Sequence, residues 1–406
     1  MKLLSVATKL PWPPNDGGRL VAQLTLEALA RRGVDVHVIA PLAVPTRLEA
    51  VVPSAWLERV HLVSPQRLHG AASWRRVLRA EAPLAIARHL HPAMTEAVVA
   101  LCRQQRIDVV LAEQLQALPQ CAAARAAGWP VMLRCHNVES DLSHTMSGLR
   151  GTLARLEATR FAAYEGRALR EADAVIAFTP ADAERLRTLA REQRPPGAPR
   201  MDVEVIRAPF PDFLDPAETR LEGDPAVVIL GSAWHINDDG VRWFLSQVWP
   251  RIRAALPGAM LHLFGRPVTG THRWRQAAST RWHGELIDSR AAFAPTSVCV
   301  VPLRYASGVR MRILEAWARG IPVVATGTAV GGMEVRPGTE ALVADTPEEM
   351  AAAVASLHAQ PGLQAALVRS GRERLRELHD PAVIASQLIA ACEQMPRTRR
   401  EPYMAT

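Results

Sequence analysis

The sequence predicts an α/β protein of two doubly wound, Rossmann-like domains in tandem, and three observations predict it. Short β-branched runs alternate with longer helical patterns along the chain. Several of these runs are apolar almost throughout, as strands become when helices cover both faces of a parallel sheet. The same opening, a strand, a glycine-containing turn and then a helix, occurs once from residue 3 and again from residue 227. A length of 406 residues agrees, since domains run to roughly 100–200 residues.

In chain order, a strand at 3–6 leads through a loop containing Gly17 and Gly18 into a helix near 19–32. Further strands are expected at 36–40, 109–112, 131–134, 175–178 and 203–206. Pro and acidic residues cluster over 208–225 (APFPDFLDPAETRLEGDP), which reads as the boundary. The second half opens with a strand at 227–230, Gly231 and a loop with Asn237, Asp238 and Asp239. A helix follows near 240–256. Val241, Phe244, Leu245, Val248, Trp249 and Ile252 fall on one of its faces, and the two aspartates suit its N-terminus. Strands at 261–264, 298–301, 323–325 and 342–344 complete the second sheet, and residues 381–394 read as a closing helix. The predicted division is a domain over 1–210, a second over 211–380, and a C-terminal helix and tail over 381–406.

Composition excludes several functions. Lys and Arg number 48 against 40 Asp and Glu, a net charge of +8. That excess fits an anionic ligand or an acidic membrane face without demanding nucleic acid. Aromatics are only 5%, and no basic stretch is interleaved with Tyr or Phe in the manner of a single-strand binder. The five cysteines are scattered, with no Cys-x-x-Cys, which argues against a disulfide framework or a zinc site and for a reducing compartment. Residues 1–11 do not read as a secretory leader, because Lys9 interrupts the short apolar stretch. No window approaches the ~20 apolar residues of a membrane span. The expected location is cytoplasmic.

The segment 302–322, PLRYASGVRMRILEAWARGIP, carries the sharpest chemistry. A helix near 309–319 begins beside Gly308. The unpaired N–H groups and positive dipole end at such a start make an anion site. Gly308 admits close approach of a ligand to the backbone. Arg310 and Arg312 at the same end suit phosphate oxygens. Glu315, further along the helix, suits hydroxyl donors such as a ribose. Together they describe a nucleotide diphosphate. The spacing alone equally describes a surface helix with solvated charges.

The segment resembles the donor-binding signature of GT-B glycosyltransferases, in particular family 4 of the retaining enzymes. Gly308, Arg310, Arg312, Leu314, Glu315, Ala316, Gly320, Pro322, Val323 and Val324 match it one by one. Five further segments are similar to the family's in the same order: PWPPNDGGRL (11–20), HNVES (136–140), ADAVIAFTPADAERL (172–186), GSAWHINDDGVRWF (231–244) and HGEL (283–286). The resemblance implies two domains facing each other across a cleft, with a nucleotide diphosphate sugar as donor and no metal or other cofactor. It implies that Arg310 and Arg312 hold the diphosphate and Glu315 the ribose. Gly17 and Gly18 would lie under the transferred sugar or its phosphate. Gly284 and Glu285 would line the nucleobase, and Gly331, Gly332 and Met333 would lie near the donor sugar. His136 would sit on the acceptor side. His136 and Glu315 are the candidate catalytic residues.

Two departures stand out. Many members carry a second Glu eight residues before the one matched by Glu315, and here that position is Ser307. Others carry a phosphate-holding Lys after the Gly231 turn. This chain has none there, and Arg266 is the candidate substitute. No Asp-x-Asp or His/Cys spacing suggests a metal. Residues 67–91 carry Arg67, Arg75, Arg76, Arg79, Arg88 and Trp74, a composition suited to peripheral contact with an anionic membrane or to a solvated helix flank. The expected function is transfer of a sugar to a glycan, lipid-linked glycan or small-molecule acceptor, with retention. The rival readings are a nucleotide-sugar epimerase, a dinucleotide-dependent oxidoreductase, disfavoured by the lack of Gly-x-Gly-x-x-Gly, and a non-catalytic scaffold.

Overall fold

Among the described residues of the first half there are seven strands: β1 (Lys2–Val6), β2 (Asp35–Pro41), β3 (Val60–Val63), β4 (Val109–Glu113), β5 (Val131–Cys135), β6 (Ala174–Ala177) and β7 (Glu204–Val205). Among the described residues of the second half there are six: β8 (Ala226–Leu230), β9 (Met260–Phe264), β10 (Thr280–Gly284), β11 (Ser297–Val301), β12 (Val323–Ala325) and β13 (Leu342–Val343). A computed structural model describes residues 1–42, 48–64, 82–146, 152–218, 220–231, 235–265, 277–286 and 288–396. Its two sheets run β3-β2-β1-β4-β5-β6-β7 and β10-β9-β8-β11-β12-β13, and every pairing is parallel. Both start from the 3-2-1-4-5 order of the Rossmann plan. The order reverses between β1 and β4, and again between β8 and β11. In open α/β sheets, ligands bind beyond the carboxyl ends of the strands at that reversal.

All eleven expected strands form. The two that were not expected, β3 and β10, are equivalent edge strands. An edge strand has less apolar surface to bury. β10 (TRWHG) accordingly alternates between half-buried and exposed residues, with no apolar run to mark it.

One compact unit comprises Met1–Pro13, Ala22–Ala208 and the chain from Ala382 onward; the other comprises Pro14–Val21 and Pro209–Pro381. The helix Pro381–Gln394 returns to the first unit. There Ile384, Ala385, Leu388 and Cys392 share a core with Leu26, Leu29, Val36 and Val38. The opposite face of this sheet buries Val110, Leu133, Phe161 and Leu186, and the second sheet buries Val227, Phe244, Leu261 and Val300.

The helix Gly17–Arg31 starts two residues earlier than expected, so Gly17 and Gly18 form its first turn and not a loop. Asp16 makes this start: its Oδ1 accepts the Arg19 backbone N–H at 2.9 Å. The helix expected near 240–256 starts at His235. Asp238 and Asp239 therefore lie inside it, paired with Arg242 and Arg304, and do not precede it. It runs to Trp243, relaxes into a π segment over Phe244–Val248, and resumes as Trp249–Ala255. Pro250 accounts for the break, since proline cannot donate the helical hydrogen bond and crowds the preceding turn. Gly240 is required by packing: a Cβ there would stand 2.2 Å from the Pro302 carbonyl oxygen.

The five cysteines are buried, and none is in a disulfide. Among the described residues, no helix is long and apolar enough to cross a membrane.

Candidate functional site

In the second unit, glycines bring the carboxyl ends of β8, β9 and β10 together. The Gly231 N–H donates to the Phe264 carbonyl at 2.8 Å, and the Gly265 N–H donates to the Gly284 carbonyl at 2.7 Å. Gly265 lies at φ +125°, and a Cβ on it would stand 1.4 Å from the Gly231 carbonyl oxygen. Only glycine permits that approach. Gly284 is left-handed at φ +79° with open space beside it, and Glu285 is exposed. Arg266 lies outside the described residues. So do 232–234 and most of the basic segment 67–91, which is described only from residue 82.

The helix of the 302–322 segment is Met311–Ala318, with Arg310 at its N-cap. It is held close to the helix Pro361–His379, where Gly371 leaves room for Trp317: a Cβ on Gly371 would stand 2.5 Å from the indole. Trp317 Nε1 is anchored to the Glu340 carbonyl at 2.9 Å. The helix tip thereby reaches the strand-order reversal. The Arg312 Nη1 donates to the carbonyl of Leu230, the last residue of β8, at 2.5 Å. Burial presses the Arg312 pKa down. Gly308, buried just before the tip, is left-handed at φ +75°.

Arg310 is 6% exposed. Its Nε donates to the Ala329 carbonyl at 2.6 Å, and its two Nη atoms donate to the carbonyls of Gly308 and Gly331. The Gly331–Met333 stretch follows β12 and holds Gly332 at φ +76°, with Met333 buried. Gly17 groups with this unit, where a Cβ on it would make ordinary contact with Met311 Cγ at 3.5 Å. Gly18 follows it in the same helical turn.

Glu315 is buried on the same helix. Its Oε1 accepts from Ser289 Oγ at 2.5 Å and from Arg319 Nε at 2.9 Å. Burial raises its pKa, and the Ser289 hydrogen bond and Arg319 pull the other way. Ser289 was not anticipated. It opens a 3-10 turn whose N-cap is Asp288, and a capping aspartate after the HGEL turn was the available signal.

The first unit gathers a second polar cluster at the carboxyl ends of β4 and β5. His136 directly follows β5 and is 6% exposed. Its Nε2 lies 2.9 Å from Glu113 Oε2, its Nδ1 lies 3.0 Å from Gln114 Nε2, and its ring tilts against Phe178. Arg134 donates to both Glu113 oxygens at 2.9 Å and to Thr25 Oγ1 at 2.5 Å. Burial opposes the Glu113 charge, but Arg134 and His136 outweigh it and hold the pKa below the usual carboxylate value. An ionised Glu113 only accepts, so Nε2 carries the His136 proton and Nδ1 accepts from the Gln114 amide. Glu113 and Arg134 were missed, although each is a charge inside an otherwise apolar strand run. Beyond His136, Glu165 caps the helix Glu139–Met146, accepting the backbone N–H groups of Glu139 and Ser140 at 2.9 Å each; burial pushes its pKa up to about 7.

Among the described residues, no three His, Cys, Asp or Glu side chains group to hold a metal ion.

Two family models match the chain. One is described as Glycosyltransferase Family 4 over residues 16–206, the other as Glycosyl transferases group 1 over residues 224–360. The curated proteins contain no significant sequence match. Solved structures similar to the chain include sucrose-phosphate synthase from Thermosynechococcus elongatus (TM-score 0.72, 18% identity, 97% of this chain and 98% of that one). HepE from Anabaena, solved with UDP and glucose, is similar at TM-score 0.66 and 15% identity, over 97% of this chain and 100% of that one. TarM is similar at TM-score 0.68 and 8% identity, over 97% and 99%. At such identities the likeness establishes the fold. The two family models, which between them span most of the sequence, establish the kinship: the chain belongs to the GT-B glycosyltransferases of the family 4 kind.

Proposed function

We propose that the chain transfers a hexosyl group from a nucleoside diphosphate sugar to an acceptor hydroxyl, with retention of the anomeric configuration. The observation that carries this reading is the bond from Arg312 to the Leu230 carbonyl, which sets the tip of the Met311–Ala318 helix at the carboxyl end of β8. A helix start at that reversal is an anion site.

In this reading the Gly308–Arg312 segment takes the diphosphate, and its fixed dipoles and guanidinium charge stabilise the departing group without a metal ion. Glu315 takes the ribose. Both of its hydrogen bonds use Oε1, which leaves Oε2 to accept from the sugar hydroxyls. Gly284 and Glu285 border the base, and Gly17, Gly18, Gly332 and Met333 border the transferred sugar. With Ser307 in place of a carboxylate, backbone amides meet the sugar there. His136 contacts the acceptor or the sugar and does not act as a proton acceptor, since both of its ring nitrogens already have partners. A departing phosphate oxygen then takes the acceptor proton.

A thermal-shift panel of UDP, GDP, ADP and TDP tests the reading. One of them raises the unfolding midpoint, and its sugar conjugates are consumed only when an acceptor is present. Turnover of the conjugate without any acceptor indicates an epimerase, and indifference to all four overturns the reading.

A further inference from the structure

Two loops leave adjacent strands of the second unit, one after β11 (residues 302–310) and one after β12 (residues 326–333), the second holding the short helix Gly327–Val330. Each contains a left-handed glycine, Gly308 at φ +75° and Gly332 at φ +76°. Glycine turns have little stiffness of their own, so their spacing must be fixed from outside. Two side chains join them. Thr326 donates its hydroxyl to the Leu303 carbonyl while accepting the Ala329 N–H at 3.1 Å. Arg310 donates to Gly308 on its own loop and to Ala329 and Gly331 on the other. A planar guanidinium can serve three carbonyls in different directions, whereas a lysine ammonium is a single point.

We propose that Arg310 is a positioning residue: its guanidinium sets the separation of the Gly308 turn from the Gly331–Met333 loop and shapes the donor site without touching the phosphates. The proposal rests on the donor-site reading above. It assigns the phosphate charge contact to Arg312 and gives Arg310 a purely geometric part. Arg310 is 6% exposed and each of its three nitrogens donates to a carbonyl, so the guanidinium is held by the two segments it joins.

The experiment is calorimetric titration with UDP, or with whichever diphosphate the wild type binds, at several salt concentrations. Each variant is measured well below its own unfolding midpoint. Arg310→Lys is expected to bind at least ten-fold more weakly than wild type and within about three-fold of Arg310→Ala, with the wild-type dependence on salt kept in both. Thr326→Val, which breaks the second tie, is expected to weaken binding in the same salt-independent manner. Arg312→Ala is expected to flatten the salt dependence. The proposal is overturned if Arg310→Lys binds like wild type, or if Arg310→Ala flattens the salt dependence as Arg312→Ala does. If Arg310→Ala does not fold, Arg310→Lys and Thr326→Val decide alone. A wild type that binds no nucleoside diphosphate overturns the donor-site reading itself, before any variant is compared.

Discussion

His136 Nε2 stands 2.9 Å from Glu113 Oε2, and the same carboxylate is gripped by Nε and Nη2 of Arg134. The imidazole is thus held in one tautomer by a buried ion pair. Removing one partner of a buried pair is far costlier than replacing both. Glu113→Gln is therefore expected to cost the first unit about 3–5 kcal/mol in urea unfolding, because Arg134 stays buried without its counter-charge. Glu113→Leu combined with Arg134→Met recovers most of that loss. Nitrogen shifts of labelled histidine should show His136 protonated on Nε2 in the wild type. A proton on Nδ1 at neutral pH would contradict the network.

Glu315→Gln keeps the shape of the site and removes the carboxylate charge. Nucleotide binding is expected to weaken by about 1–3 kcal/mol. The preference for the diphosphate that the wild type binds over its form lacking the 2′-hydroxyl should shrink in step, because the proposed contact is to ribose. Calorimetry with both nucleotides checks this. An unchanged preference would remove Glu315 from the ribose.

The two edge-strand pairs carry the same feature. His262 Nδ1 meets His283 Nε2 at 2.9 Å across β9 and β10, and His37 Nδ1 lies 3.3 Å from His61 Nε2 across β2 and β3. In all four, burial first lowers the pKa from its ordinary 6.5. Arg281 adds to this at His262 and His283, and Glu222 opposes it at His262. At His37, Asp35 opposes while Lys2 and Arg59 add. A depressed folded pKa means that the unfolded chain takes up the proton first. The stability is therefore complete above pH 6.5 and is lost as pH falls from there through the folded values. His283→Phe keeps the stack on Phe264, whose ring lies 4.1 Å away, and should blunt the acid loss of the second unit. Denaturant midpoints between pH 5 and 8 check it; equal slopes in variant and wild type would contradict it.

Leu388 is 2% exposed and lies in the first unit's core, though it comes from the far end of the chain. Leu388→Ala is expected to destabilise that unit by about 2–5 kcal/mol through the cavity it leaves. Differential unfolding, followed through nucleotide binding for the second unit, should show the loss confined to the first transition.

The parallel sheets were legible because apolar runs such as Val109–Glu113 must be buried on both faces, and few other structures do that. β10 was not legible because its half-exposed edge position asks for no such run. Gly308, Arg312 and Glu315 could be placed on one helix start from their spacing. The bonds of Arg310 could not, because its partners, Ala329 and Gly331, come from the next strand's loop. Ser289 and Glu113 share this character: each is known by what it touches across the fold, and single-sequence periodicity carries no such information.

The central claim is that a nucleoside diphosphate sits at the tip of the Met311–Ala318 helix. Hydrogen exchange of the whole protein, with and without the diphosphate it binds, tests this most directly. Slowed exchange in peptides covering 303–316 and 327–334 is the predicted result. Protection confined to the first unit, with those peptides unchanged, would contradict it.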